Sequence, residues 1–202
     1  MYSRVVGVDP SLSSSGICVI EFDEKKLEVT DLRTLKTKPS KHMYARIARY
    51  ESIAIEISQT AQRAKKEETL TVIEAYSFMA FGSAVTQLPE LGCLIRHMLE
   101  CNTVPWFEVP PSTAKKFGTG SGKAMKDLVM MATYQKWGHH LVGSGFELQD
   151  SNQADAYVLA LMGVEYVRWK QFGVAPSKEH LKDTWKKMDE ERFYQLKFGS
   201  LV

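Results

Sequence analysis

Residues 5–20, VVGVDPSLSSSGICVI, decide the fold of this chain. Two apolar runs, 5–8 and 17–20, flank a turn of small residues, and this pattern predicts a buried strand, a tight turn and a second, antiparallel strand. Within the stretch only Asp9 is charged, and it stands where the first strand ends. A carboxylate beside a turn without bulky side chains leaves room for a metal ion or a phosphate.

The composition indicates a globular chain with a substantial core. It has 202 residues, of which 44% are hydrophobic and 25% charged, and a formal net charge of +2, so overall charge does not by itself point to nucleic acid. No apolar stretch approaches the roughly 20 residues that span a membrane, and the first strand begins too early for a signal peptide. The three cysteines indicate small buried hydrophobes in a reducing, cytoplasmic compartment.

The remaining patterns predict an α/β fold with the element order β-β-β-α-β-α-β-α-α. An antiparallel hairpin meander followed by alternating helices and strands predicts a mixed five-stranded sheet with helices on both faces. After the hairpin come a third strand over 27–35, a helix over 42–65, a strand over 70–74, a helix over 88–99 that begins beside Pro89, and an edge strand over 104–109. A short helical turn capped by Ser112 and a glycine-rich loop over 118–122 follow. The last two helices are predicted over 123–137, with Leu128, Met131 and Tyr134 or Gln135 along one side, and from Asp150 or Ser151 to about 170.

Three acids are predicted to meet at one edge of this sheet. Asp9 ends the first strand, and Glu74 ends the strand that follows the first helix. A right-handed crossover makes these strands parallel neighbours, so their carboxyl ends lie side by side. Asp155 falls in the first turns of the last helix and shares a helix face with Asn152, three residues earlier.

A site of carboxylates without cysteine or histidine is hard and rich in oxygen. Such a site suits Mg²⁺ or Mn²⁺, and two ions can activate water and stabilise the leaving oxygen of a phosphodiester. We therefore predict a two-ion site of Asp9, Glu74, Asn152 and Asp155. The alternative is that each acid only ends a strand or caps a helix.

A basic segment lies between the fifth strand and the last helix. Lys115, Lys116, Lys123 and Lys126 occur within 12 residues that contain no acid, and a run of glycines separates the two pairs. We expect a mobile, positively charged lip that binds a phosphate backbone. The alternative is an ordinary solvated loop.

Two aromatic residues follow Glu74 closely. Tyr76 and Phe78 would lie beside the carboxylates and could stack on unpaired bases. Core packing is an equally good interpretation of both side chains.

Four segments in order resemble the RuvC family of Holliday junction resolvases, most closely its divergent bacteriophage and viral members. They are residues 6–12, VGVDPSL; 72–74, VIE; the lysine-rich glycine segment; and 153–156, QADA. The resemblance spans about residues 3–170. It implies an RNase H-like nuclease domain over 1–170, in a bacterial or phage-infected cell. The C-terminal part, 171–202, extends beyond the shorter family members, and a helical extension that covers the core or extends a dimer interface is predicted there by the spacing of Leu181, Trp185, Met188 and Phe193.

The resemblance also implies roles for individual residues. It makes Asp9, Glu74 and Asp155 catalytic acids, and it matches Lys115 and Lys126 to two basic residues near the scissile phosphate. The family usually has an acid or histidine where this chain has Asn152, so either Asn152 is a weaker ligand or Asp150 replaces it. The family's base-stacking phenylalanine corresponds to Ser77, so Tyr76 or Phe78 would have to substitute.

We therefore expect a Mg²⁺-dependent, homodimeric endonuclease that resolves four-way DNA junctions by paired nicks and leaves 5′-phosphate ends. Three alternatives remain open: a broader branched-DNA debranching nuclease, a non-catalytic DNA-binding relative, and an actin-like ATPase or sugar kinase module. The chain is short for the two lobes of the last class.

Overall fold

The computed structural model describes residues 1–62, 69–76, 84–177, 181–183 and 185–186. Its strands are β1 (Arg4–Asp9), β2 (Ser14–Phe22), β3 (Leu27–Lys36), β4 (Thr69–Glu74) and β5 (Trp106–Val109). Its helices are α1 (Met43–Gln62), α2 (Ala84–Cys101), α3 (Pro111–Thr119), α4 (Lys126–Gly143) and α5 (Ser151–Phe172).

The five strands form one mixed sheet in the order β3-β2-β1-β4-β5. The pairs β1–β2 and β2–β3 are antiparallel, whereas β4 runs parallel to β1 and β5 parallel to β4. Val8 pairs with Ile73, so Asp9 and Glu74 end neighbouring strands at the same level. The predicted meander, crossover and edge strand are confirmed.

Helices cover both faces of the sheet, and the alternation along β1 separates two cores. Val5 packs with α5 on one face, whereas Val6 and Val8 pack against α1 and α2 on the other. Successive side chains of a strand point to opposite faces. Gly7 and Asp9 therefore belong to the face that α5 covers.

Two glycines let the backbone of α5 lie directly on β1 and β2. A Cβ atom on Gly7 would stand 2.1 Å from the carbonyl oxygen of Ala156, and one on Gly16 would stand 2.0 Å from that of Asn152. These separations are far below van der Waals contact, so only glycine fits. The closeness brings the first turns of α5 to the end of β1.

Several predicted boundaries are wrong. Helix α2 begins at Ala84 and contains Pro89 in its second turn, because its buried face compensates for the one helical hydrogen bond that proline removes. Ser112 lies inside α3, whose cap is Pro110, and the expected loop is partly helical: α3 ends at Thr119, with Gly120 in the left-handed conformation. Helix α4 starts at Lys126 rather than at 123.

The described part of the C-terminal extension covers the core. Leu181 and Trp185 are fully buried, and the Trp185 ring lies 6.0 Å from that of Tyr166 and 5.5 Å from that of Trp169 on α5. No helix among the described residues is both long and apolar enough to cross a membrane.

The expectation of three buried cysteines is wrong for two of them. Cys18 is buried in β2, but Cys93 and Cys101 are exposed on α2, and all three are free thiols. Leu91, Ile95 and Leu99 are buried on α2; Cys93 lies between two of them on the exposed side, and Cys101 is the last residue of the helix.

Candidate active site

Three carboxylates converge where α5 crosses the ends of β1 and β4. Asp9 is only 6% exposed, and its side chain is hydrogen-bonded to that of Glu74. Asp9 follows Gly7 on the face covered by α5, and Glu74 follows Val72 on the same face. Asp155 reaches this face from α5, and its charge acts on both other acids. The predicted convergence of the three acids is therefore present.

Burial raises the pKa values of all three acids, and repulsion from neighbouring carboxylates adds to the effect at Asp9 and Glu74. Burial, then the charges of Glu74 and Asp155, hold the pKa of Asp9 well above its usual range. Burial, then the charge of Asp155, raises the pKa of Glu74 to about 7. Burial also raises the pKa of Asp155, against the opposing charges of Lys126 and Lys115. Desolvated carboxylates this close to one another ionise together only when a cation compensates them.

The donor chemistry of this cluster fits a hard divalent cation. Its donors are carboxylate oxygens on two strand ends and one helix, which is the set that Mg²⁺ or Mn²⁺ accepts. Among the described residues, no three His, Cys, Asp or Glu side chains already surround a common ion position. Cation binding would require the carboxyl groups of Asp9 and Glu74 to be ionised.

Asp150 is held as the N-cap of α5. One carboxylate oxygen accepts the backbone N–H of Gln153 at 3.0 Å, and the other accepts the hydroxyl of Thr34 at 2.7 Å. Both oxygens are thus engaged away from the three acids. Asn152 remains the candidate for the fourth position, half-buried above Gly16, the residue that pairs with Asp9.

Two of the four lysines approach the carboxylates. The Lys126 amino group lies 3.9 Å from a carboxylate oxygen of Asp155, and the charge of Lys115 acts on Glu74 and Asp155. Lys116 and Lys123 are exposed to solvent. The expected basic lip is therefore mostly helical: Lys115 and Lys116 belong to α3, Lys126 begins α4, and only Lys123 stands in the connection.

Tyr76 is held against α2. Its hydroxyl donates to the carbonyl oxygen of Pro89 at 3.4 Å, and the Arg96 guanidinium lies 4.8 Å from its ring centroid. Arg96 is itself paired with Glu108. Base stacking by Tyr76 stays a prediction, and Phe78 lies outside the described residues.

The serine turn after Asp9 is fixed by its own hydrogen bonds, which the sequence reasoning missed. The hydroxyl of Ser15 donates to the carbonyl of Ser11 at 2.9 Å and accepts the Ser11 N–H at 3.0 Å. Ser15 is fully buried. A run of serines predicts a turn of small side chains, but it does not indicate which hydroxyl points into the protein. Thr34, which holds Asp150, was missed for the same reason.

Comparisons with known proteins agree with this architecture. No family profile matches the chain. The crossover junction endodeoxyribonuclease RuvC of Prochlorococcus marinus (strain MIT 9303) is 26% identical over 160 residues, covering 79% of this chain and 97% of the relative. RuvC of Rickettsia prowazekii (strain Madrid E) is 28% identical over 158 residues, covering 77% and 93%.

A solved structure has the same fold. Thermus thermophilus RuvC in complex with a Holliday junction substrate matches with a TM-score of 0.64 and 20% identity, covering 84% of this chain and 97% of that protein. This chain is therefore similar in sequence to RuvC proteins over most of its length, and it shares the mixed five-stranded sheet and covering helices of the Thermus RuvC fold.

Proposed function

We propose that this chain is a divalent-metal-dependent endonuclease that resolves four-way DNA junctions. The observation that carries the proposal is the convergence of Asp9, Glu74 and Asp155 at one sheet edge, with the Lys126 amino group 3.9 Å from Asp155. The names of its relatives support the substrate: they are crossover junction endodeoxyribonucleases, and the Thermus protein was solved with a Holliday junction.

Each acid has a role in this proposal. Asp9 and Glu74 would hold one Mg²⁺, and Asp9 and Asp155, helped by the Asn152 carbonyl, would hold a second; Mn²⁺ could substitute. Bound there, such ions supply an activated water and stabilise the leaving 3′ oxygen. Asp9, buried at the end of β1, would be the ligand common to both positions.

The lysines handle the charge of the DNA. Lys126 and Lys115 stand beside the carboxylates, where a cation stabilises the charge that develops on the phosphate during in-line attack. The exposed Lys116 and Lys123 would bind the backbone farther out, which makes binding salt-dependent. Cleavage in this geometry leaves a 5′-phosphate and a 3′-hydroxyl, and Tyr76 or Phe78 would stack on bases freed at the branch.

Two nicks are needed to resolve a four-way junction, so we propose a homodimer with twofold symmetry that presents two sites to one junction. A DNA substrate of this kind implies work in the cytoplasm of a bacterial cell or a phage-infected host. Sedimentation analysis of the chain, alone and with a junction, tests the dimer: a single chain per junction would contradict paired nicking by one assembly.

The decisive experiment compares cleavage of a four-way junction, a Y-fork and an RNA–DNA hybrid in Mg²⁺, in Mn²⁺ and in EDTA. We expect symmetric nicks in the junction, in metal only, with ligatable 5′-phosphate ends. Equal cutting of the Y-fork would favour a general debranching nuclease. Junction binding without cutting in either metal would favour a non-catalytic relative and overturn the proposal.

A further inference from the structure

Helix α4 exposes apolar side chains where the sequence pattern predicted a packed side. Leu128, Met131 and Tyr134 are 42%, 53% and 52% exposed, because the helix turns Val129 and Ala132 toward the core instead. Part of this exposed face forms a groove of about 550 Å³ against the segment that precedes α5. The groove is lined by Asp127, Met130, Met131, Tyr134, Gln135 and Leu148.

This α4 groove begins one residue after the lysine that reaches the three carboxylates. Lys126, whose amino group lies 3.9 Å from Asp155, is followed directly by Asp127, which lines the groove. At 1.5 Å per helical residue, Met130 and Tyr134 stand about 6 and 12 Å along α4 from Lys126. Leu148 closes the other side two residues before the cap of α5. A strand of DNA advances about 3.4 Å per nucleotide, so the groove lies about two to four nucleotides from a phosphate held at the carboxylates.

We propose that the α4 groove receives one nucleobase of the cleaved strand, unstacked at the branch point. The inference rests on the proposed function and deepens it. A base freed from pairing needs a flat or deformable apolar surface, which the Tyr134 ring and the Met130 and Met131 thioethers supply. Asp127 and Gln135 form the polar part of the lining, and their side chains pair with exocyclic amines of cytosine and adenine. The favoured base is therefore one that carries an amine.

The position of the groove favours DNA over a protein partner as the occupant. Lys126, which reaches Asp155, directly precedes the lining residue Asp127, and exposed Lys123 lies three residues earlier in the chain. These lysines would bind the phosphate backbone next to the inserted base. Phosphate contacts of this kind fix the position of the DNA strand on the protein, and the contact with the base adds selectivity among bases.

The test uses exposed positions whose replacement leaves the core untouched. Met131→Ala and Tyr134→Ala remove the groove surface, Tyr134→Phe keeps the ring, and Val142→Ala is the matched control. Val142 is also an exposed apolar residue of α4, at 58%, but it stands about 24 Å along the helix from Lys126. Unfolding curves establish that all variants are folded.

Binding is measured on four-way junctions that carry 2-aminopurine at single positions one to five nucleotides from the cut site. We expect a fluorescence change confined to positions two to four, abolished by Tyr134→Ala. Junction affinity should fall about tenfold in Tyr134→Ala, and by less in Met131→Ala. Tyr134→Phe and Val142→Ala should stay within twofold of the unsubstituted chain.

Two failures are distinguishable. If the unsubstituted chain cuts and binds junctions but Tyr134→Ala matches Val142→Ala in affinity and fluorescence, the groove does not hold a base and only this inference falls. If the unsubstituted chain neither binds nor cuts branched DNA, the proposed function falls first. Equal loss in Tyr134→Phe and Tyr134→Ala would refute stacking as the contact.

Discussion

The buried pair of Asp9 and Glu74 should make the metal-free protein less stable as the pH rises. Replacing Glu74 by Gln removes one titrating group but keeps an amide that can hydrogen-bond to Asp9. The variant therefore isolates the effect of ionising the pair. In the unfolded chain the Glu74 carboxyl loses its proton near pH 4.5, whereas in the fold it does so near pH 7.

The magnitude follows from these two values. Between pH 4.5 and about 7 the folded state binds more protons than the unfolded state, so the free energy of unfolding decreases with rising pH and levels off above pH 7. The whole difference corresponds to about 3 kcal/mol, most of which lies between pH 5 and 8. A saturating divalent cation opposes this loss: at one hundred times its Kd it adds about 2.7 kcal/mol, at pH 8 but not at pH 5, because its ligands must be deprotonated.

The assay is urea unfolding at pH 5 and pH 8, in EDTA and in Mg²⁺, for the unsubstituted chain and for Glu74→Gln. The unsubstituted chain in EDTA should lose about 2 kcal/mol more than the variant over this range, and Mg²⁺ should restore most of that loss only in the unsubstituted chain. Contributions of groups that do not interact with Glu74 cancel in the comparison, and loss of the Glu74 charge also relieves part of the raised pKa of Asp9, so the measured difference belongs to the pair. Equal pH dependence in the two proteins would refute the reasoning, since Glu74 would then not be the group that titrates.

Three further predictions concern the same region. Gly16→Ala should lower the free energy of unfolding by about 3 kcal/mol in urea, because its Cβ would stand 2.0 Å from the backbone of α5. The control is Gly143→Ala, whose Cβ meets nothing within 4 Å. An equal loss of stability in the two variants would contradict the close approach of α5 to Gly16. Asp9→Asn should abolish cleavage while gel-shift binding of a junction persists; normal cutting would remove Asp9 from the site. Asn152→Asp should lower the Mg²⁺ concentration that gives half-maximal cleavage, because it adds a charge to the site, and an unchanged metal dependence would place the side chain outside the ion sites.

The sheet and the convergence of acids were predictable because both depend on strand order. Asp9 and Glu74 each end an apolar run, and the chain between them is long enough for one helical crossover, so few arrangements of these strands remain. The face of the sheet on which the two acids meet follows from the alternation of side chains along a strand, in which every second residue points to the same face. No tertiary detail was needed for either step.

The helices around the site were less predictable. The sequence pattern assigns Gly118 to a loop, but it is a buried residue of α3 beside Val158 of α5, and composition does not show this burial. On α4, Met131 and Tyr134 satisfied a helical period as well as Val129 and Ala132 did. Which stripe faces inward depends on where α5 lies, and a single helix pattern contains no information on that.

The glycine contacts of α5 have a consequence for how this protein tolerates change. Gly7 and Gly16 set the height of α5 above the sheet through main-chain atoms, which every sequence shares. Substitutions among the surrounding valines, leucines and isoleucines can therefore alter the core volume without shifting Asp155 relative to Asp9. The spacing of the carboxylates should thus tolerate substitutions in the core but not at Gly7 or Gly16. We expect random mutagenesis to find inactivating changes concentrated at these two glycines rather than spread through the core.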